Sequence, residues 1–122
     1  MELHIENSQK VTSLFGYWPK FCDAKFRYFS FEVSERDEER IQIRLLYLDV
    51  DKSIGAEIEI LFSGVSRIDI NNLYDENVLD ELVIVRNDAD SNYNIELQAC
   101  CGISGQFNCE RIVVGKVIER DF

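Results

Sequence analysis

A chain of 122 residues that is 46% hydrophobic and 30% charged fits one domain with a sizeable core, and excludes a disordered tail. Thirteen Lys and Arg against 23 Asp and Glu leave a formal net charge of −10. That balance argues against nucleic acid and anionic membrane as partners, because phosphates are bound by clustered Lys and Arg; it favours solubility and long-range attraction to a basic protein. No apolar run approaches the roughly 20 residues needed to span a bilayer. The opening residues MELHIENSQK lack a signal-peptide pattern, so the four cysteines (Cys22, Cys100, Cys101 and Cys109) are expected to be reduced thiols in a cytoplasmic protein.

In chain order, Asn7 is placed to cap a short helix over Ser8 to Phe15. Val11, Leu14 and Phe15 fall at i, i+3 and i+4, and Gly16 stands where a helix stops. The stretch from Leu14 to Phe26, LFGYWPKFCDAKF, holds the only tryptophan and the only proline. Pro19 fixes its own φ and pushes Trp18 toward extended geometry. The segment therefore reads as a stiff corner whose aromatics, Trp18 first, plug one end of the core. The period then changes to two: Phe29, Phe31 and Val33 share one parity, Phe26 and Tyr28 the other. The next strand slips likewise from Ile41, Ile43 and Leu45 to Leu46, Leu48 and Val50. Each slip suggests a β-bulge or a strand buried on different faces in its two halves. Ser34 to Arg40, SERDEER, is a charged turn between hairpin partners.

Asp49 to Gly55 is another turn, after which Ala56, Ile58, Ile60 and Phe62 alternate cleanly with polar neighbours. Ser63-Gly64 punctuates, and Val65, Ile68 and Ile70 begin a short strand. Asn71 to Asn77 is a polar connection carrying Leu73 and Tyr74, with room for one helical turn. Val78 to Val85 is a strand, Arg86 to Asn92 a strong turn, and Tyr93 to Ala99 an alternating strand. Gly102 and Gly105 bracket a loop before a last strand or strand pair, Phe107 to Ile118. Residues 1–122 are thus expected to form an α+β, β-rich domain: a mostly antiparallel sheet of about seven strands with a short N-terminal helix.

Few residues invite chemistry. A nucleophilic Cys22 would need a base or a cation beside it, whereas Asp23 opposes the thiolate. Cys22 is expected to pack inward as a small hydrophobe, with Asp23 hydrogen-bonding backbone at the corner. The cysteines show no C-x₂-C pair, so neither a metal nor a cofactor is expected. The Gly102 to Gly105 loop lacks the Gly-Lys-Ser/Thr ending of a phosphate cradle and reads as a tight turn. Glu110 and Arg111 are adjacent on a strand and face opposite ways, so one of them is free to meet Asp23. Among the acidic groups, Asp75, Glu76, Asp80 and Glu81 beside Leu73 and Tyr74 form the combination that best suits a protein contact, since aromatic anchors next to charges are a feature of interfaces.

The run LFGYWPKFCDA resembles the signature of the Immunity protein 50 family of bacterial polymorphic-toxin systems, usually met as FGYWPsFHDAEV. ACCGISGQFNCERIVV, from Ala99 to Val114, is similar to the family's closing segment, and LFSGVSRIDINNLYDENVLDELVI to its middle portion. Cys22-Asp23 stands for the usual His-Asp, Lys25-Phe26 for Glu-Val, Asp75-Glu76-Asn77 for His-Gln-Asn, and Cys101-Gly102 for Tyr-Gly. A role for that histidine is therefore absent here, which suits binding better than catalysis. The resemblance implies an immunity protein, not an enzyme, that neutralises a cognate protein toxin stoichiometrically. Trp18, Pro19, Cys22, Asp23, Gly102, Glu110 and Arg111 would hold the fold, and Tyr74, Asp75, Glu76, Asp80 and Glu81 would meet a basic toxin. A small enzyme using Cys22 or the Asp23/Glu110 carboxylates, and an interaction module with no toxin, are the rival readings.

Overall fold

The protein is described by a computed structural model over residues 3–120. Its only α-helix among those residues, α1 (Gln9–Phe15), buries Val11 and Phe15. Gly16 ends it in the left-handed region (φ 87°) and donates its N–H to Thr12 O at 2.7 Å, the stop its position implies. The N-cap falls on Ser8 rather than Asn7. Asn7 is itself left-handed (φ 63°), and its side-chain amide points to Val114 O instead of the helix.

Eight strands follow: β1 (Lys25–Val33), β2 (Glu39–Asp49), β3 (Ile54–Ser63), β4 (Ser66–Asn71), β5 (Val78–Asn87), β6 (Asn92–Cys101), β7 (Ser104–Cys109) and β8 (Arg111–Arg120). They form one sheet in the order β4-β7-β6-β5-β1-β2-β3-β8, every ladder antiparallel. The β-rich, mostly antiparallel expectation holds, with eight strands in place of about seven. The extra strand arises at Glu110, whose N–H turns to Ser63 O (3.0 Å) and separates β7 from β8. Residues 72–77 contain no helical turn.

Two features make the sheet fold over itself. The β1–β5 ladder is a single pair, Lys25 opposite Val78, so the sheet is pinched at its middle. Only Gly64 and Val65 separate β3 from β4, and only Glu110 separates β7 from β8, yet these strands lie toward opposite ends of the order. Such short links bring the ends together, and the inward faces of both halves meet in one core. Ile41, Ile43, Leu45, Ile58 and Ile60 line one side, and Leu79, Ile95, Leu97 and Phe107 the other. Phe62 and Phe107 touch edge to face at 5.1 Å across the middle.

The parity slip in β1 is a bulge between Phe26 and Tyr28. The slip in β2 is not: its register with β3 runs unbroken from Arg40 to Asp49. Ile41, Ile43, Leu45 and half-buried Tyr47 keep the inward face, while Leu46 and Leu48 lie on the outward one, Leu48 exposed. Apolar residues on an outer face mimic a phase change without causing one.

Candidate functional site

The corner is built by two left-handed residues, Phe21 (φ 63°) and Asp23 (φ 64°). These kinks send Phe21 and Ala24 into the core and turn Cys22 outward. Cys22 is therefore exposed, not packed inward, because Phe21 takes the position the thiol was expected to fill. Desolvation together with Asp23, Asp80, Cys100 and Glu81 pushes its thiol up, which disfavours the nucleophilic thiolate. Trp18 is half-buried, lying edge to face on Phe21 at 5.7 Å; the deep plug is Phe21, and Pro19 is buried beside it. Backbone bonds lash this segment along the edge of β5: Leu82 N–H to Lys20 O (2.9 Å), Asp23 N–H to Leu79 O (2.9 Å) and Leu79 N–H to Ala24 O (2.8 Å). A side-chain latch closes the other flank, where the Tyr17 hydroxyl donates to Asp49 Oδ2 at 2.6 Å and lies 2.8 Å from that of Tyr47.

Asp23 contributes through its backbone. Its carboxylate is exposed and makes no hydrogen bond among the described residues. Neither Glu110 nor Arg111 closes on it. Arg111 forks onto Glu6 Oε2 at 2.6 and 2.9 Å, and Glu110 lies over Gly64 at the β3–β4 link. The motif residues thus serve separate joints of the fold, and the Asp23/Glu110 pair is not assembled. Cys100 and Cys101 are both exposed, where register shifts at the start of β5 disturb its pairing with β6. Cys109 is buried in the core, and burial pushes its thiol to about 12. No three His, Cys, Asp or Glu side chains among the described residues are grouped to hold a metal ion.

The connection between β4 and β5 is held from beneath by Asn77, which the sequence offered only as the end of a polar connection and the Asn of the His-Gln-Asn element. Asn77 Oδ1 accepts the N–H groups of Tyr74 (3.1 Å) and Ile103 (2.8 Å), and its Nδ2 donates to Tyr74 O (2.9 Å). Gly102 permits that contact. It is buried at φ 82°, and a Cβ there would run into Asn77 Oδ1 and the Glu76 carbonyl. The segment is not a tight turn: the β6–β7 ladder ends at Leu97 opposite Gly105, Ser104 and Gly105 already belong to β7, and Gly102 is a bend. Above it Leu73 and Tyr74 stand out, 70% and 63% exposed. Asp75 and Glu76 are exposed on the same loop. Asp80 and half-buried Glu81 sit at a bulge in β5 and share the neighbourhood of Cys22 with the corner. The acidic candidates therefore form two neighbouring groups, one on the loop and one on the strand.

The exposed edge of β1 also escaped the sequence. Phe31 and Val33 have inward parity but are 49% and 53% exposed, a fact set by what fails to cover them. Alternation marks them as core, and no local signal distinguishes the two cases.

Among the described residues the Asp23 and Glu110 carboxylates lie at separate joints, and the loop pinned by Asn77 presents Leu73 and Tyr74 to solvent. The family model for Immunity protein 50 matches residues 7–118, and the chain belongs to that family. No curated protein and no solved structure matches it. Membership points to an immunity protein, and hence to a toxin as partner in general.

Proposed function

We propose that this chain acts in the cytoplasm as a stoichiometric inhibitor of one cognate bacterial toxin, without a cofactor, and that the toxin's binding face is basic. The observation that carries the reading beyond the family is the β4–β5 loop. Its backbone is fixed by Asn77 while Leu73 and Tyr74 face solvent beside Asp75 and Glu76. A rigid loop that presents apolar area loses little conformational freedom on binding, and burying that area supplies affinity. Tyr74 is the anchor, and Asp75, Glu76, Asp80 and Glu81 supply the field that steers a basic partner, in keeping with the net charge of −10.

The test is a search of the genes neighbouring this chain's for a toxin domain, then stopped-flow binding to that domain, with growth protection on co-expression as the functional readout. Raising salt shortens the Debye length from about 30 Å to about 8 Å and should slow association. Glu76→Lys with Glu81→Lys should slow it further, and Tyr74→Ala should act on the off-rate. Association indifferent to salt and to the double reversal would place the contact elsewhere. Absence of binding and of protection would overturn the reading itself.

A further inference from the structure

The sheet has strand edges to protect, and it protects them unequally. The outer edge of β8 is covered by the N-terminal segment, through Glu6 N–H to Ile112 O (2.9 Å) and Val114 N–H to Glu6 O (2.8 Å). The start of β5 is covered by the corner, through the bonds from Lys20 to Ala24. The β4 edge is short, irregular in register at Ser66 to Asp69, and carries Arg67 and Asp69. These are the usual defences against unwanted strand pairing. Past its bulge between Phe26 and Tyr28, β1 has only the charge of Glu32 among these defences. Among the described residues its far side pairs with no strand after the bulge, and neither proline nor lysine interrupts Arg27 to Val33.

The direction of its free groups follows from the ladder. The hairpin is closed by Ser34 N–H to Glu38 O (2.9 Å), while Glu39 O accepts from Val65 N–H (3.1 Å) on the β3 side. Antiparallel alternation then puts Tyr28, Ser30 and Glu32 in the hydrogen-bonded pairs with β2. The N–H and C=O groups of Phe29, Phe31 and Val33 point away from β2, into open space. Phe26 shows the same direction, its N–H reaching Asn77 O at 2.9 Å. An open pocket of about 190 Å³ lies at this edge, and its walls include Tyr28 and Phe29 of β1 together with Leu73 and Asn77 of the loop. The unpaired edge is thus continuous with the pinned loop.

Resting on the toxin-binding reading above, we infer that the free edge of β1 receives an extended, basic segment of the toxin as an added strand. The backbone groups of Phe29, Phe31 and Val33 would pair with it, and the pocket beside Leu73 would take one of its apolar side chains. A strand is the occupant because the unmet groups are backbone donors and acceptors at two-residue spacing, which an extended chain satisfies. The partner rather than a second copy is favoured by charge. Two copies would bring together net charges of −10 each. Glu32, Asp75 and Glu76 flank the edge, and Arg27 is turned onto Glu57 at 3.6 Å.

Amide exchange on the full chain, free and bound to the toxin domain found by that search, reads this directly. In the free chain the amides of Phe29, Phe31 and Val33 should exchange fast and those of Ser30 and Glu32 slowly. In the complex the first set should slow by about a hundredfold or more, the scale of a lost open state. Phe31→Pro removes an outward N–H without touching the β1–β2 ladder, so it should weaken binding at least about tenfold more than Phe31→Ala, which keeps the N–H. Val33→Pro against Val33→Ala repeats the comparison at a second position, with unchanged exchange at Ile58 and Ile60 showing that each variant is folded. Tight binding with no new protection at these amides, and proline variants equal to their alanine counterparts, would overturn the added strand and leave the toxin reading standing. Protection that grows with the concentration of the free chain would make a second copy the occupant and overturn it too. A wild-type chain that does not bind the toxin would sink the functional reading and this proposal with it.

Discussion

At the N-terminal corner, Phe15 and Phe21 lie edge to face on Tyr47 at 5.2 and 5.6 Å, and both phenylalanines are fully buried. At the far side of the pinch, Phe31 of β1 and Tyr74 of the loop have comparable size but stand half or more exposed. Composition does not separate the two regions; covering does. The corner is lashed to β5 by backbone bonds and latched by Tyr17 to Asp49, whereas among the described residues no strand pairs with the far side of β1 after Lys25. Apolar area already buried contributes to folding, and area still exposed is available to binding. Substitutions in the two regions should therefore divide cleanly between stability and affinity.

The sharpest division is between two phenylalanines. Phe21→Ala should cost about 3–5 kcal/mol in a denaturant melt, the range for deleting a buried large aromatic. Phe31→Ala should cost under about 1 kcal/mol, since a half-exposed edge residue leaves little cavity. Equal losses at both positions would erase the distinction between a closed and an open aromatic region.

Next in size is Gly102→Ala. The new Cβ meets the Asn77 side chain and, at 2.6 Å, the Glu76 carbonyl, on a backbone at φ +82°. A loss of about 1–3 kcal/mol is expected from the strained conformation. Because the collision falls on the residue that pins the loop, toxin affinity should fall as well. A stability loss that leaves affinity intact would show that the loop does not need pinning.

Trp18→Ala comes third. The side chain is half-buried against Phe21, so a loss of about 1–2 kcal/mol is expected from the apolar area it removes from water. The exposed face should also show in a fluorescence maximum shifted to the red of a buried indole. A loss as large as that for Phe21 would restore Trp18 as the main plug of the corner.

What could be read from the chain, and what could not, divides along similar lines. The helix stop at Gly16, the β1 bulge, the hairpin turns and the cleanly alternating β3 and β6 are set by residues within a few positions of one another, and local chemistry suffices for them. Cys22 was misplaced because its direction depends on a left-handed residue, Phe21, where side-chain type predicts an ordinary backbone. Asp23 and Arg111 were misjoined because ion-pair partners are chosen by tertiary distance: Glu6 reaches Arg111 only once the N-terminal segment lies along β8. The acidic loop was legible as composition, whereas its rigidity was not, since Asn77 gains its role from Ile103 across the fold.

The smallest effect tests the latch that keeps the corner closed, and it is a matter of pH. The Tyr17 hydroxyl donates to Asp49 Oδ2 at 2.6 Å, and that bond is the main cause holding the Asp49 carboxyl below its ordinary 3.8. A carboxyl depressed in the folded state adds stability above its unfolded value and loses it as pH falls through the lower folded value. Tyr17 moves the opposite way. Desolvation first, then the bonds to Asp49 and Tyr47, raise it well above its ordinary 10.0, so the folded state prefers the neutral phenol. Its contribution is present below 10.0 and is lost as pH rises beyond it, because the unfolded phenol ionises there and the folded one does not. The latch should therefore stabilise between about 4 and about 10 and fade on both sides. Tyr17→Phe removes the phenol's linkage and the part of the Asp49 linkage that the Tyr17 bond causes, while the Lys52 and Asp51 N–H groups keep theirs, so the difference in unfolding midpoint between the two proteins isolates the hydroxyl's share. That difference should be a plateau at neutral pH and shrink well below 3.8 and well above 10, with the bond to Tyr47 left as a remainder on the acid side. A difference constant across the whole range would mean that the Tyr17 hydroxyl acts by packing alone, and that the corner is held shut by its backbone bonds to β5 without a charged latch.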